Sequence, residues 1–206
     1  MRIALLACGV LSSIAYLAAD VLGSLRWEGY SYVDQTVSEL AALDAPSRPL
    51  VMPLFVIYNL LFLAFATGVA QSGARAMRAA AAMLAAIALL GVVAFFFPIQ
   101  MRGVPWTINE TMHSVLTGLT VIALLLAIGF AATVGPRFRI YSFVTIAIAL
   151  AAGLLSGWIG RGLVTDQPTP WIGIIERVSI FSYLIWVAVL AMVLMPRARP
   201  DVMLSA

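Results

Sequence analysis

The chain has 206 residues, of which 63% are hydrophobic and only 10% are charged, and its net charge is +3. Soluble domains carry roughly 25% charged residues, so this composition and a mean hydropathy of +1.05 exclude a globular protein in water and predict a membrane protein. The positive charge is too small and too dispersed to indicate a nucleic-acid partner. All twelve basic residues are arginines, which excludes chemistry through a lysine Schiff base.

Six apolar runs are long enough to cross a bilayer core of roughly 30 Å as helices. They lie at about residues 3–24, 50–71, 76–98, 110–133, 139–160 and 172–195. We therefore predict an all-α fold with a single domain over residues 1–206. This domain is a polytopic membrane bundle of six transmembrane helices, with a short amphipathic helix in the first outer loop.

The arginines predict the orientation of the spans. Seven of them lie at one set of span ends, and the other five lie at the opposite set together with eight of the nine acids. Because arginine is enriched on the cytoplasmic side of membrane proteins, we predict that both termini are cytoplasmic. The acids and the only histidine, His113, then lie at or near the outer face, so a polar site opens outward.

The loop between the first two spans, residues 24–48, is the longest polar interval of the chain. Thr36 and Glu39 within it have the spacing of a capping box, in which each side chain accepts a hydrogen bond from the other residue's backbone amide. This spacing predicts a short helix over about residues 37–43 with its apolar residues on one side. Capping accounts for Glu39 without a function, although it does not exclude a second role.

Three charged residues lie about one turn or more inside the predicted spans. Asp20 is about one turn from the outer end of the first span, and Glu176 and Arg177 are one to two turns inside the sixth. An ionised side chain inside the bilayer costs up to roughly 3 kcal/mol, so we expect Arg177 to pair with a carboxylate on another element. The candidates for this partner are Asp20, Asp34 and Glu110, and both a structural role and a site role stay open for Asp20.

The fourth span begins with a second capping-box spacing, Thr107 to Glu110, and His113 follows three residues later. Residues at this spacing share one face of a helix. Di-iron bundles use two Glu-x-x-His motifs and two further glutamates, and a zinc site needs at least three protein ligands. This chain has one such motif, and we predict neither a bound metal nor a cofactor. Hydrogen bonding, acid–base work and metal ligation together with Asp20, Glu39 or Glu176 all stay open as interpretations of His113.

The fifth span contains small residues at a spacing typical of helix contacts. Gly153 and Gly157 are four residues apart, and Ser156 and Gly160 lie beside them. Small residues at this spacing let two helices approach closely in a membrane. We interpret them as a packing face.

The segment YSYVDQTVSELAA at residues 30–42 resembles the bacterial family known as domain of unknown function 998, whose members have six spans and a Ser-Glu-Leu motif after the first. The resemblance extends to His113 and to the sequence GIIER at residues 173–177. It implies a multi-pass protein of the bacterial plasma (inner) membrane but no activity. The layout is more distantly similar to the eukaryotic Frag1/DRAM/Sfk1 group, some members of which are tied to lipid remodelling.

Three hypotheses for the function follow. In the first, the protein binds a lipid headgroup or a membrane partner, including a second copy of itself. In the second, it is a membrane-embedded hydrolase, with His113, Glu110 and Glu39 as catalytic candidates. In the third, it is a proton-coupled transporter, since buried acids and a histidine are typical of proton relays. A single site would bring His113, Glu39 and Arg177 within hydrogen-bonding reach. The residues predicted to bind a ligand are Asp20, Asp34, Ser38, Glu39, Glu110, His113, Glu176 and Arg177.

Overall fold

The computed structural model describes residues 1–165 and 167–196, and this part of the chain is all-helical. Within it, six helices are long and apolar enough to cross a membrane, which confirms the predicted number of spans. The helices are α1 (Arg2–Arg26), α2 (Arg48–Ala70), α3 (Arg75–Ala94), α4 (Ile108–Ala131), α5 (Pro136–Ile159), the four-residue α6 (Arg161–Val164) and α7 (Ile172–Leu194). The charged residues Asp166, Arg197, Arg199 and Asp201, which were counted in the predicted orientation, lie outside the described residues.

Among the predicted helix ends, those of the third span differ most from the ends in the structure. α3 ends at Ala94 rather than near residue 98, and Phe95 and Phe96 continue as a tight turn whose amides bond to carbonyls three residues back. Pro98 follows, and the residue before a proline is disfavoured in the helical conformation. The helix therefore ends before the proline instead of reaching it.

The six long helices form a ring in the order α4, α3, α2, α1, α7 and α5. Neighbours in this order pack against each other, but α4 and α5, which close the ring, touch least. The half of the ring away from residues 27–47 is filled by a continuous apolar core, whose largest fully buried side chains include Leu6, Phe62, Phe65, Leu84, Ile128 and Trp186. The other half, where the loops carry most of the polar residues, is referred to below as the polar end.

Residues 27–47, the first loop, fold back over the polar end of the ring. They contain a 3-10 helix at Ser38–Ala41. Val37, just before this helix, and Leu40, within it, are 1% and 0% exposed and pack against Ala19 and Val51. The prediction of a helix over residues 37–43 with one apolar side is therefore correct in its apolar side but wrong in its length and type. The helix is short because Ala42 is extended (φ −58°, ψ 156°) and the Leu43 amide bonds to the Ile99 carbonyl at 2.8 Å.

The small residues of α5 do not form the packing face that we predicted. A Cβ atom built on Gly153 would meet only the Ser179 hydroxyl, at 3.8 Å, and one built on Gly157 would meet nothing within 4 Å. Gly118, on the facing part of α4, also borders open space. The spacing is typical of close helix packing, but here these glycines line an opening between α4 and α5.

Candidate functional site

Arg177 and Asp20 form a buried ion pair between α7 and α1. The two side chains are 2% and 0% exposed, and the guanidinium Nη2 lies 2.8 Å from Asp20 Oδ1. Nε of the same arginine also donates to both carboxylate oxygens, at 3.1 and 3.2 Å. Asp20 was one of the predicted partners, and this prediction is confirmed.

The rest of the Arg177 guanidinium holds the first loop. Its Nη1 donates to the backbone carbonyls of Tyr32 (2.9 Å), Gln35 (3.0 Å) and Gly173 (3.1 Å), and Nη2 donates to the Tyr30 hydroxyl at 2.7 Å. The guanidinium carbon also lies 3.6 Å from the centre of the Tyr32 ring, a cation–π contact. Arg177 thus connects α1, α7 and the first loop, and this cluster is called the Arg177 latch below.

Gly173 is required for this arrangement because the loop backbone passes directly over it. Its amide donates to the Val33 carbonyl at 2.9 Å, and a Cβ atom at this position would overlap the carbonyl oxygens of Gln35 and Tyr32. Only a residue without a side chain lets the two backbones approach so closely. This contact explains the glycine at the start of the sequence GIIER.

The two tyrosines of the latch keep their protons over a wide pH range. Tyr32 donates to Asp20 Oδ2 at 2.7 Å, and burial together with this hydrogen bond raises the pKa of Tyr32 to about 12. Burial also raises the pKa of Tyr30, although its contact with Arg177 acts in the opposite direction. Both hydroxyls therefore remain available as donors at neutral pH.

A second ion pair, between Glu39 and Arg102, fastens the 3-10 helix. Arg102 Nε lies 2.5 Å from Glu39 Oε1 and Nη2 lies 3.0 Å from Oε2. Arg102 also donates to the Asp34 carbonyl at 2.6 Å and to the Thr169 hydroxyl at 3.0 Å, and the bond to Glu39 raises the pKa of Arg102. This cluster, the Glu39 latch, joins the first loop to the segments on either side of the α4–α5 opening.

Both predicted capping boxes are present. Glu39 Oε2 accepts the Thr36 amide at 2.7 Å, while the Glu39 amide donates to the Thr36 hydroxyl at 3.4 Å. Glu110 Oε2 accepts the Thr107 amide at 2.8 Å, and its Oε1 accepts the Gln100 amide at 2.7 Å. Both oxygens of Glu110 are thus engaged at the start of α4.

Asp34 is also occupied within the loops. Its Oδ1 accepts the Trp171 amide at 2.9 Å and its Oδ2 accepts the Ser31 hydroxyl at 3.0 Å. Trp171 has a left-handed backbone (φ 66°) just before α7 begins. Asp34 therefore fixes the turn that leads into α7, and its role in ligand binding stays a prediction.

Below the 3-10 helix, the ring and the first loop line a cavity of about 390 Å³, the chamber. Its wall is mostly apolar and is contributed by all six long helices and by the first loop. The polar residues that face it from the helices include Tyr16, Tyr58, Asn59 and Tyr183. A cavity of this size is within the range of small-molecule sites, roughly 300–1,000 Å³.

A second cavity of about 580 Å³, the cleft, lies between α4 and α5. Its lining from these helices runs from Glu110 to Val121 and from Ala149 to Gly160, which restricts it to the polar half of the bundle. The chamber and the cleft share part of their walls. The polar residues common to both, called the junction below, are Ser38, His113, Thr117, Ser156 and Glu176.

His113 is the central side chain of the junction. Its Nε2 lies 3.3 Å from the Ser38 hydroxyl, whereas Nδ1 is buried without a hydrogen bond of good geometry, although the Phe97 backbone lies nearby. Glu176 Oε2 accepts the Val37 amide at 2.6 Å. Its Oε1 makes no hydrogen bond within residues 1–165 and 167–196.

The predicted site residues thus separate into two groups. Asp20, Arg177 and Glu39 hold the first loop in place, and His113 does not hydrogen-bond to Glu39 or Arg177, so the single cluster that we expected is not formed. Ser38, His113 and Glu176 instead meet at the junction. In the described part of the chain, no group of three or more His, Cys, Asp or Glu side chains could hold a metal ion.

Two features of the latches were not predicted: Arg102 as the partner of Glu39, and the tyrosines that contact Arg177. Arg102 lies in residues 95–107, which carry no helical periodicity that would place its side chain. Tyr30 and Tyr32 were noted only as part of a polar loop, and the available signal was the need of a buried arginine for several acceptors.

Comparison with known proteins agrees with the architecture. Neither the curated proteins nor the solved structures contain a match to this chain. One family model matches residues 10–193, which include most of α1, the other five long helices and both latches. The chain therefore belongs to the family described as protein of unknown function (DUF998), and it is a six-helix, multi-pass membrane protein of that family.

Proposed function

We propose that the protein binds a membrane lipid, with the polar part of the lipid at the junction and hydrocarbon in the chamber. The observation that carries this proposal is the position of the junction between an apolar chamber and a cleft that opens sideways from the helix ring. Ligand sites are typically apolar cavities with a few polar groups that fix orientation. A cavity that opens sideways from a transmembrane bundle is most readily filled by the surrounding lipid.

The depth of the junction supports a lipid rather than a water-soluble ligand. His113 is five residues from the start of α4, and Glu176 is four residues from the start of α7. At 1.5 Å per residue, these side chains lie roughly 6–8 Å from the helix ends. That depth corresponds to the boundary between headgroups and acyl chains, where amphipathic groups insert roughly 5–10 Å.

The test is the amount of lipid that co-purifies with the protein in a mild detergent, measured by mass spectrometry as a lipid-to-protein ratio. We expect the lipid-to-protein ratio of the double variant His113→Leu, Glu176→Gln to fall at least about tenfold, because the loss of hydrogen bonds worth roughly 1.5 kcal/mol corresponds to that factor. Glu28→Gln is the matched control, since Glu28 is exposed and lines neither cavity. An unchanged ratio in the double variant, or no specific lipid on the unmodified protein, would refute the proposal.

One observation favours a second candidate function, the hydrolysis of an ester lipid. The Ser38 hydroxyl and His113 Nε2 are 3.3 Å apart at the junction, and a hydroxyl beside a histidine base is a typical nucleophile pair, often looser without substrate. Ser38 Oγ would attack the ester carbonyl while His113 takes its proton. The alcohol would then leave with that proton, and water would release the fatty acid from Ser38.

A fluorophosphonate probe tests this candidate because it reacts covalently with activated serines. We expect the probe to label Ser38, and we expect the labelling to disappear in Ser38→Ala and in His113→Gln. Ser114→Ala is the control, since Ser114 lines the cleft without a hydrogen bond to His113 in the described part of the chain. Intact protein mass without a label on the unmodified chain would reject the candidate.

The positions of the carboxylates do not favour a proton-coupled transporter. All the carboxylates in residues 1–165 and 167–196 lie at the polar end, in the first loop or within two turns of a helix end. A relay across the membrane would need titratable groups along the path. The cytoplasmic location of the termini and the bacterial plasma membrane stay predictions, and so does association with a second copy.

A further inference from the structure

The opening between α4 and α5 is the one incomplete contact in the ring of helices. α3 packs along α4 and α7 packs along α5, but α4 and α5 touch each other little. The cleft occupies the gap over the polar half of both helices. It reaches the chamber through the junction, so the chamber is accessible from the side of the bundle.

Two glycines line this passage. Gly118 on α4 and Gly157 on α5 border the cleft, and a Cβ atom on either would meet nothing within 4 Å. Neither glycine therefore packs against a neighbouring helix, although glycine is unfavourable in a helix relative to alanine. A bulky side chain at either position would extend into the passage.

The polar groups at the inner end of the passage determine which headgroup can bind there. Among the described residues, Glu176 is the only acid or arginine that lines the chamber and the cleft at once. The arginines near it are engaged: Arg102 by the Glu39 latch and Arg48 by the Ala41 carbonyl. Arg161 also lines the cleft, but it is exposed, at the start of the short helix α6.

We infer that a lipid enters sideways between α4 and α5, from the leaflet at the polar end, and places a neutral hydroxyl group against Ser38, His113 and Glu176. This inference rests on the proposed function. A hydroxyl group can donate to the free oxygen of Glu176 and accept from Ser38 or His113, because it is both donor and acceptor. A phosphate would bring a negative charge beside the Glu176 carboxyl, where no arginine of the described residues lines both cavities, and buried unpaired charge is costly.

The experiment measures binding of a photoreactive 1-acylglycerol to purified protein in lipid nanodiscs, by covalent cross-linking and mass spectrometry. We expect Gly157→Phe and Gly118→Phe to reduce the rate of labelling at least about tenfold, since a phenyl ring fills the passage. Gly129→Phe is the matched control, because Gly129 also borders open space on α4 but lines neither cavity. We expect its labelling and the melting temperature of all three variants to equal those of the unmodified protein.

The ligand class is tested with the same photoreactive chain carrying a phosphate on the glycerol. We expect the phosphate analogue to bind at least about tenfold more weakly than the alcohol, because its charge lies beside Glu176. We expect Glu176→Gln to reduce this difference. Equal binding of the two probes would overturn the ligand class. Normal labelling of Gly157→Phe and Gly118→Phe would overturn the route while leaving lipid binding intact, whereas failure of the unmodified protein to bind any lipid would refute the proposed function itself.

Discussion

Replacing Arg177 with alanine is expected to destabilise the folded protein by about 3–5 kcal/mol, the usual cost of removing one partner of a buried ion pair. The change leaves Asp20, which is 0% exposed, as an unpaired carboxylate inside the bundle. It also removes the donors from the carbonyls of Tyr32, Gln35 and Gly173. Thermal unfolding in detergent, followed by tryptophan fluorescence, measures the loss.

Three variants separate the causes of this effect. Arg177→Lys keeps the charge but lacks the planar set of donors, so we expect it to recover only part of the stability. Adding Asp20→Leu to Arg177→Ala removes the unpaired carboxylate, and the double variant should be more stable than Arg177→Ala alone. Arg26→Ala, at the exposed end of α1, should stay within about 0.5 kcal/mol of the unmodified protein. A melting temperature of Arg177→Ala equal to that of Arg26→Ala would contradict the structural role of the latch.

Replacing Glu39 with alanine is expected to release the 3-10 helix, with a loss of about 1.5–3 kcal/mol typical of hydrogen bonds to a charged group. Glu39 is 4% exposed and accepts from Thr36, Gln35 and Arg102. Hydrogen exchange is the appropriate measurement, because it resolves a local opening that a global melting curve averages. We expect faster exchange of the Leu40 and Ala42 amides, which bond within the loop.

The control for this prediction is Asp44→Asn, since Asp44 is exposed, makes no side-chain hydrogen bond in the described part of the chain, and has a left-handed backbone (φ 63°) that asparagine tolerates. It should leave exchange over residues 36–42 unchanged. The exchange rate of these amides in Glu39→Gln should fall between those of Glu39→Ala and the control, because the glutamine amide can still accept from Thr36 but cannot form an ion pair with Arg102. If Glu39→Ala exchanges as slowly as the unmodified protein, the 3-10 helix is held by its apolar contacts alone.

Hydropathy and charge predicted the parts of the structure that depend on simple rules. The six spans follow from the length of apolar runs. The capping boxes at Thr107 and Thr36 follow from the spacing of each threonine and the glutamate three residues later. The pairing of Arg177 with Asp20 could be predicted because a buried arginine needs a carboxylate partner, and few carboxylates were within reach. These features are local, or depend on one scarce type of residue.

The junction and its cavities could not be predicted in the same way. A cavity arises where helices do not touch, and no residue pattern encodes an absent contact. Gly153 and Gly157 predicted close packing, since their spacing is the same whether a neighbouring helix or a ligand approaches them. The contact between Ser38 and His113 depends on how far the first loop reaches over α4, which is set by Glu39 and Arg102 together.

The gap between α4 and α5 has a further consequence, because these helices are joined at the opposite end of the bundle. Only residues 132–135 connect them, and Ala131 and Phe138 on either side belong to the apolar core. The opening is therefore a wedge, wide at the polar end and closed by the short connection at the other. On the route proposed above, a wedge of this shape would admit lipid from one leaflet, so the occupancy of the chamber would report the composition of that leaflet and respond to any change in the transverse asymmetry of the membrane.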